Sequence, residues 1–277
     1  MRNRWWWMVV SACLLTSGSA HATGFSIDAS VGCVVAQGLG IFDLQDTCQE
    51  DSGTDSFPAA ALPQTAAGSA GIGAGSSSAE AHARFGSLSA AADAACGEDA
   101  DVHPDASASG RGDASVFDTL HVSSATLASG TPVTFHVDLN VTTNHSEPAT
   151  DPSGFFFVAA FASLDANSSV GSLHLVSNNQ DPDSDVTSGD FDAAVGGNVI
   201  LQYRVTAHPF VTAKGNLGAA QAGVTLRPQI TLASAADVTL TADSLHDYAE
   251  LPESGAVDGE LAAATALLFV ARRRTRG

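Results

Sequence analysis

The residues best spaced to do chemistry lie in the run Asp181-Pro182-Asp183-Ser184-Asp185-Val186-Thr187-Ser188-Gly189-Asp190-Phe191-Asp192. Carboxylates at alternate positions of a loop can converge on one Ca²⁺, a hard cation that takes about six to eight oxygens. Asp181, Asp183, Asp185 and Asp192 fall at positions 1, 3, 5 and 12 of such a loop, with Thr187 at 7. Ca²⁺ is therefore the one cofactor this pattern suggests. Two features depart from it: Val186 stands where the sharp turn needs glycine, and Asp192 is shorter than the usual bidentate glutamate. The competing reading is a solvated acidic hairpin loop.

Other chemistry-bearing residues are scattered. His121, His136 and His174 fall in predicted strands, and His208 precedes Pro209. A metal or acid–base role would need them to converge in space, so isolated surface histidines are the expectation. Cys33, Cys48 and Cys96 remain once Cys13 is set aside with the leading segment. In an oxidising compartment Cys33–Cys48 is the preferred bridge and Cys48–Cys96 the alternative. Arg111-Gly112-Asp113 and the sequons at Asn140, Asn144 and Asn167 are short enough to arise by chance. There is no Gly-x-Ser-x-Gly elbow, no His-Glu-x-x-His helix and no phosphate-cradling glycine loop, so no catalytic residue is assigned. An acid pair for glycoside hydrolysis needs only proximity in space. Beyond the leading segment, however, the chain has no tryptophan and only Tyr203 and Tyr248 as tyrosines, few rings on which a sugar could stack.

The two ends are different kinds of polypeptide from the middle. Residues 1–22 place Arg2 and Arg4 before an apolar run of eleven residues, 5–15, and end on the small-x-small triplet Ala20-His21-Ala22 before Thr23. This is the pattern of a cleaved secretory signal, too short for an anchor. Residues 251–277 carry Leu251-Pro252-Glu253-Ser254, then an apolar run from Leu261 through Leu267-Leu268-Phe269-Val270 to Ala271. Arg272, Arg273 and Arg274 follow. A helix of eleven residues spans about 16 Å, roughly half a bilayer's hydrocarbon core. The arginines would hold such a tail on the cytoplasmic side with the body outside. That suits a transient membrane association better than a permanent anchor.

This tripartite tail resembles the PEP-CTERM sorting signal, on Pro252-Glu253, the run ending Leu267-Leu268-Phe269-Val270-Ala271, and Arg272-Arg273-Arg274. Ser254 stands where that family has a second proline. The same stretch, Leu251-Pro252-Glu253-Ser254-Gly255, nearly matches the LPxTG sortase motif, with serine in place of threonine. The PEP-CTERM resemblance is the preferred one, and a plain tail anchor ranks third. It implies a membrane-embedded transpeptidase of the exosortase type as processing partner, and an association with exopolysaccharide and biofilm.

Placing these residues is the work of the middle of the chain. Five of the eleven bases and 27 of the thirty acids lie in residues 23–250, a net charge of −22 against −19 for the whole chain. Such a body would repel nucleic acid. With 44% apolar and only 15% charged residues overall, the whole chain does not have the composition of a disordered acidic one. Short β-rich runs bounded by Gly, Ser, Asn, Asp and Pro dominate: 117–122, 133–141, 155–162, 171–176, 198–207, 223–232 and 237–242. Val133, Phe135, Val137 and Leu139 alternate with Thr134, His136, Asp138 and Asn140, as a strand with one buried face requires. The run around Phe155-Phe156-Phe157 lacks alternation and predicts a doubly buried strand. Residues 58–83, rich in Ala, Gly and Ser, read as a flexible connection or as an Ala-lined strand.

The expected fold is all-β, an antiparallel, jelly-roll-like sandwich with a C-terminal short apolar helix. Its expected divisions are the signal at 1–22, an Ala/Gly/Ser-rich part at 23–110, a sandwich core at 111–250 and the sorting signal at 251–277. The expected role is that of an exported, cell-surface or exopolysaccharide-matrix structural or adhesive protein. An extracellular hydrolase with an acid pair and a calcium-binding surface protein are the alternatives.

Overall fold

The computed structural model describes residues 24–38, 44–56, 63–72, 75–96, 105–146, 156–177, 184–213, 218–233 and 237–249. Thirteen strands account for nearly all of them, and no helix occurs among the described residues. In chain order they are β1 (Phe25–Gly38), β2 (Leu44–Ser56), β3 (Gln64–Ile72), β4 (Gly75–Arg84), β5 (Ser87–Cys96), β6 (Asp105–Ser124) and β7 (Pro132–Ser146). Then follow β8 (Phe156–Ser168), β9 (Ser172–Ser177), β10 (Ser184–Ala194), β11 (Asn198–Ala213), β12 (Gly218–Leu232) and β13 (Val238–Ala242).

The strands form two antiparallel sheets packed as a β-sandwich. The first has the order β2-β1-β6-β11-β8-β9, with β13 also pairing to β6; the second has the order β10-β7-β12-β5-β4-β3. Alternation decides which side of each strand is buried. Val199, Leu201, Tyr203, Val205 and Ala207 of β11 point inward, as do Val133, Phe135, Val137, Leu139 and Val141 of β7. Burying side chains of this size contributes about 1.5–3 kcal/mol each, and these rows make up the wide half of the core.

The other half is built from small residues. Ala79, Ala81 and Ala83 of β4 and Ala90, Ala92 and Ala94 of β5 face Ala108, Gly110, Gly112 and Ala114 of β6. A methyl group on Gly110 would lie 2.6 Å from the carbonyl oxygen of Ser78, and one on Gly112 2.6 Å from that of Glu80. The two backbones there are almost in contact, well inside the usual spacing of about 10 Å between packed sheets. The described part of the Ala/Gly/Ser-rich stretch is thus strand, with its small residues setting the distance between layers.

Strands β1 to β5 take part in the two sheets, and β6 runs through residue 110. The strand expected to be doubly buried has an open outer face instead: Phe157 is 43% exposed and lies beside His208 on that face of β8. Cys33 and Cys48 face each other across the β1–β2 pair and are disulfide-bonded, with their Cα atoms 4.9 Å apart. The bridge packs over β3 where Gly68 leaves room, since a methyl there would meet the Cys48 sulfur at 2.6 Å. Cys96 ends β5 opposite Gly218. The segments expected to be the signal peptide and the C-terminal helix lie outside the described residues.

Candidate functional site

The most concentrated polar chemistry among the described residues gathers around Asp118. It shares the inward face of β6 with Val116, Leu120 and Val122, and is 0% exposed. A carboxylate in such a place must be supplied with donors, because an unpaired buried charge is very costly. Four are present. The backbone N–H of Thr119 donates to Oδ1 at 2.9 Å and that of Ser244 at 3.3 Å, while the hydroxyls of Ser244 and Tyr248 donate to Oδ2, the latter at 2.9 Å. Behind Tyr248, the hydroxyl of Tyr203 lies at 3.4 Å and accepts from the Gly86 N–H at 2.8 Å. The donors run in one direction, from Gly86 through both tyrosines to the carboxylate. Burial holds the Asp118 carboxyl above the ordinary range despite the hydrogen bonds from Ser244 and Tyr248. Burial likewise raises both phenols, Tyr248 with further help from the neighbouring Tyr203.

What this cluster grips is the strap 243–249, the last described part of the chain. The Asp243 N–H donates to the Thr119 carbonyl at 2.9 Å, on the first sheet. Further along, the Tyr248 carbonyl accepts from the Ile230 N–H at 2.8 Å, and that of Ala249 from the Gln229 side chain at 3.0 Å, both on the second sheet. The strap therefore stitches the layers together at one end of the sandwich. It turns at Leu245, which has φ 64° and is 84% exposed. Thr119 also donates its hydroxyl to the Gly24 carbonyl at 3.0 Å, so the first described residue and the strap meet at one threonine. With no solvent exposure and with donors from its own chain, Asp118 serves as a clamp.

The other singled-out residues are dispersed. His121 hydrogen-bonds Asn198 at 2.9 Å and Asp243 at 2.7 Å through its two ring nitrogens. His136 sits between Asp190 at 2.6 Å and Asp138 at 3.3 Å. Both ring nitrogens of each histidine are thus engaged by neighbouring side chains. Hydrogen bonds to the Asp243 and Asp190 carboxylates, respectively, raise their proton affinities above the ordinary value. His174 pairs with Asp165 at 2.6 Å. His208, beside Ser109, is held low mainly by burial and also by Arg111. These histidines are not brought together, and no group of three potential ligands forms among the described residues.

The expected calcium loop is described only in part. Asp181 and Asp183 lie outside the described residues, while Asp185 and Asp192 both belong to β10. Seven extended residues span about 23 Å, so these two aspartates cannot share one cation. Asp192 instead accepts from the Thr134 hydroxyl at 2.6 Å. Arg111 and Asp113 pair with each other at 2.6 Å within the central strand β6, rather than on a loop. The sorting residues Leu251, Pro252, Glu253 and Ser254, the tail residues 261–274 and the cleavage residues Ala20, Ala22 and Thr23 lie outside the described residues. The Asp118 clamp was missed from sequence, although its signal was visible as one carboxylate at an inward position between Val116 and Leu120. A scan against protein-family models finds no match to this chain, and neither does a search of curated proteins.

Proposed function

We propose that the chain is an exported structural or adhesive protein of the cell surface or extracellular matrix. In this reading residues 1–22 direct export, and residues 251–277 form a PEP-CTERM-like sorting signal. A membrane transpeptidase of the exosortase type processes that signal while the apolar run holds the tail transiently in the bilayer. Exopolysaccharide is the proposed surrounding, and the sandwich contributes bulk and surface rather than catalysis. One observation carries the proposal: both sheets are complete and stitched together by Ala249, two residues before Leu251-Pro252-Glu253. A sorting enzyme could cut there without disturbing the described body. The Cys33–Cys48 bridge fits an oxidising destination.

The finer topology belongs to the same reading. From β5 to β12 the chain alternates between sheets, with one same-sheet hairpin, β8–β9, in the middle. That alternation supports a jelly-roll-like double Greek key extended at one edge by β1–β2 and β3–β4.

Fractionation of the native host with mass spectrometry of both termini tests the proposal. The expected product begins at Thr23, lacks the arginine cluster and is recovered outside the cytoplasmic membrane. A cytoplasmic protein running from Met1 to Gly277 would overturn it.

A further inference from the structure

On the outer face of the second sheet, β4, β5 and β12 bring two of the body's five bases beside one serine. Arg84 is the register partner of Ser87, and the β5–β12 ladder reaches Leu88 opposite Leu226. One step further along, Ser87 is flanked by Arg227. Two residues away the same strands place His82, Ser89 and Thr225 in a row. Adjacent strands lie about 4.8 Å apart, which sets the arginine Cα atoms roughly 10 Å apart with Ser87 between them. Both guanidinium groups can reach a common point above it. Outward from β5 come the small side chains Ser87 and Ser89, bordered by Arg84 and His82 on β4 and by Arg227 and Thr225 on β12, so this end of β5 forms the floor of a trough.

The floor is polar and unsatisfied. Ser87 is 2% and Ser89 1% exposed, and among the described residues neither hydroxyl has a hydrogen-bond partner; nor has the buried Nε of Arg84. Buried polar groups in folded proteins are normally paired, so each exception needs a reason. The nearest carboxylate along the outward row of β4, Glu80, is engaged by His82. In a body with 27 acids and five bases, an arginine could easily have been given a carboxylate. Among the described residues, none pairs with Arg84. His246, at the Gly86 end of the trough, likewise has a buried Nε2 with no partner.

We propose that this trough is an oxyanion site, taking a single carboxylate, sulfate or phosphate group. Arg84 and Arg227 supply charge and forked donors from the two walls, and the Ser87 and Ser89 hydroxyls donate from the floor. The proposal does not depend on how the tail is processed.

Isothermal titration of the purified protein with sodium sulfate, phosphate and glucuronate, at ionic strength fixed with sodium chloride, tests it. Saturable binding of at least one of the three is expected, and their order identifies which group the trough is built for. Arg84→Gln should weaken that binding at least about tenfold, by removing charge-assisted hydrogen bonds. Arg111→Gln, on the other sheet's outer face, should leave it unchanged. Ser87→Ala removes a floor hydroxyl without adding volume, and weaker binding is expected there too. It serves as the deciding variant if Arg84→Gln fails to fold. No saturable binding up to about 20 mM, a range that covers weak single-anion sites, would overturn the proposal. So would equal weakening in the Arg84 and Arg111 variants, or unchanged binding in Ser87→Ala.

Discussion

Asp118 shows at the residue scale how one misplaced polar letter can carry an architectural role. Its carboxyl lies above the ordinary 3.8 in the folded protein because it is buried. The folded state therefore keeps a proton that the unfolded chain releases as pH climbs past that value. The group's contribution to stability consequently falls as pH rises from 3.8 to its folded value, then levels off. Asp118→Asn should abolish that slope. It should also cost about 1–3 kcal/mol at neutral pH, because the amide turns a donor toward the Ser244 and Tyr248 hydroxyls. Urea denaturation across the acid range measures both. His121 has the same sign in a higher pH window, but there the cause is a partner for the charged form rather than burial of it. Its raised affinity for a proton stabilises the fold below the ordinary 6.5, and that gain is lost as pH rises through the higher folded value. Proton NMR should find His121 and His136 titrating above 6.5 and His208 and His246 below it, with Asp243→Asn returning His121 toward 6.5. Residue types and spacing exposed little of this, because pairings such as His121 with Asp243 join positions 122 residues apart.

Elements were legible where side-chain size and alternation agree. The runs at 133–141 and 198–207 gave strands close to those observed, since β-branched and aromatic residues on a period of two have few other solutions. β1 carries the same pattern, Phe25, Ile27, Ala29, Val31, Cys33 and Val35, yet small inward residues and the apolar Val34 on the other face dilute it. β4 and β5 were ambiguous for a physical reason: alanine fills a strand only if the opposite sheet comes close enough to bury it. The sequence of β4 does not contain that information, which resides in Gly110 and Gly112 on β6. In β10 the exposed Asp190 and Asp192 alternate with the buried Phe191 and Ala193, the mark of a strand with one wet face. Gly110→Ala should force the layers apart and destabilise by about 1–3 kcal/mol, the usual cost of overpacking. Gly32→Ala, with nothing within 4 Å of the added methyl, should be neutral or slightly stabilising in the same denaturation assay. Reducing Cys33–Cys48, which closes a loop of 15 residues, should remove about 3 kcal/mol, read as a lower melting temperature under reductant.

At the scale of the whole molecule the dominant quantity is the charge of the body, −22 with bases at only five positions. Repulsion among carboxylates on both outer faces works against compactness and is screened within a Debye length of about 8 Å at physiological ionic strength. The melting temperature should therefore rise between low and physiological sodium chloride, and a flat or falling profile would show that local His–Asp pairs outweigh the net field. The sandwich class itself was readable from the density of short alternating runs. The completeness of both sheets from residue 24 onward was not, because it depends on pairings between distant strands such as β1 with β6. Thr119, which binds Gly24 on one side and Asp243 on the other, brings both ends of the body to the same pole. The far ends of β1, β5, β7 and β11 all lie at the opposite pole. A molecule held from its C-terminal side would receive mechanical load at that single threonine pole, and the pull would be borne by the strap rather than transmitted along the strands. Tension would peel β13 from β6 one hydrogen bond at a time before it sheared a sheet, leaving the far pole unloaded and facing outward.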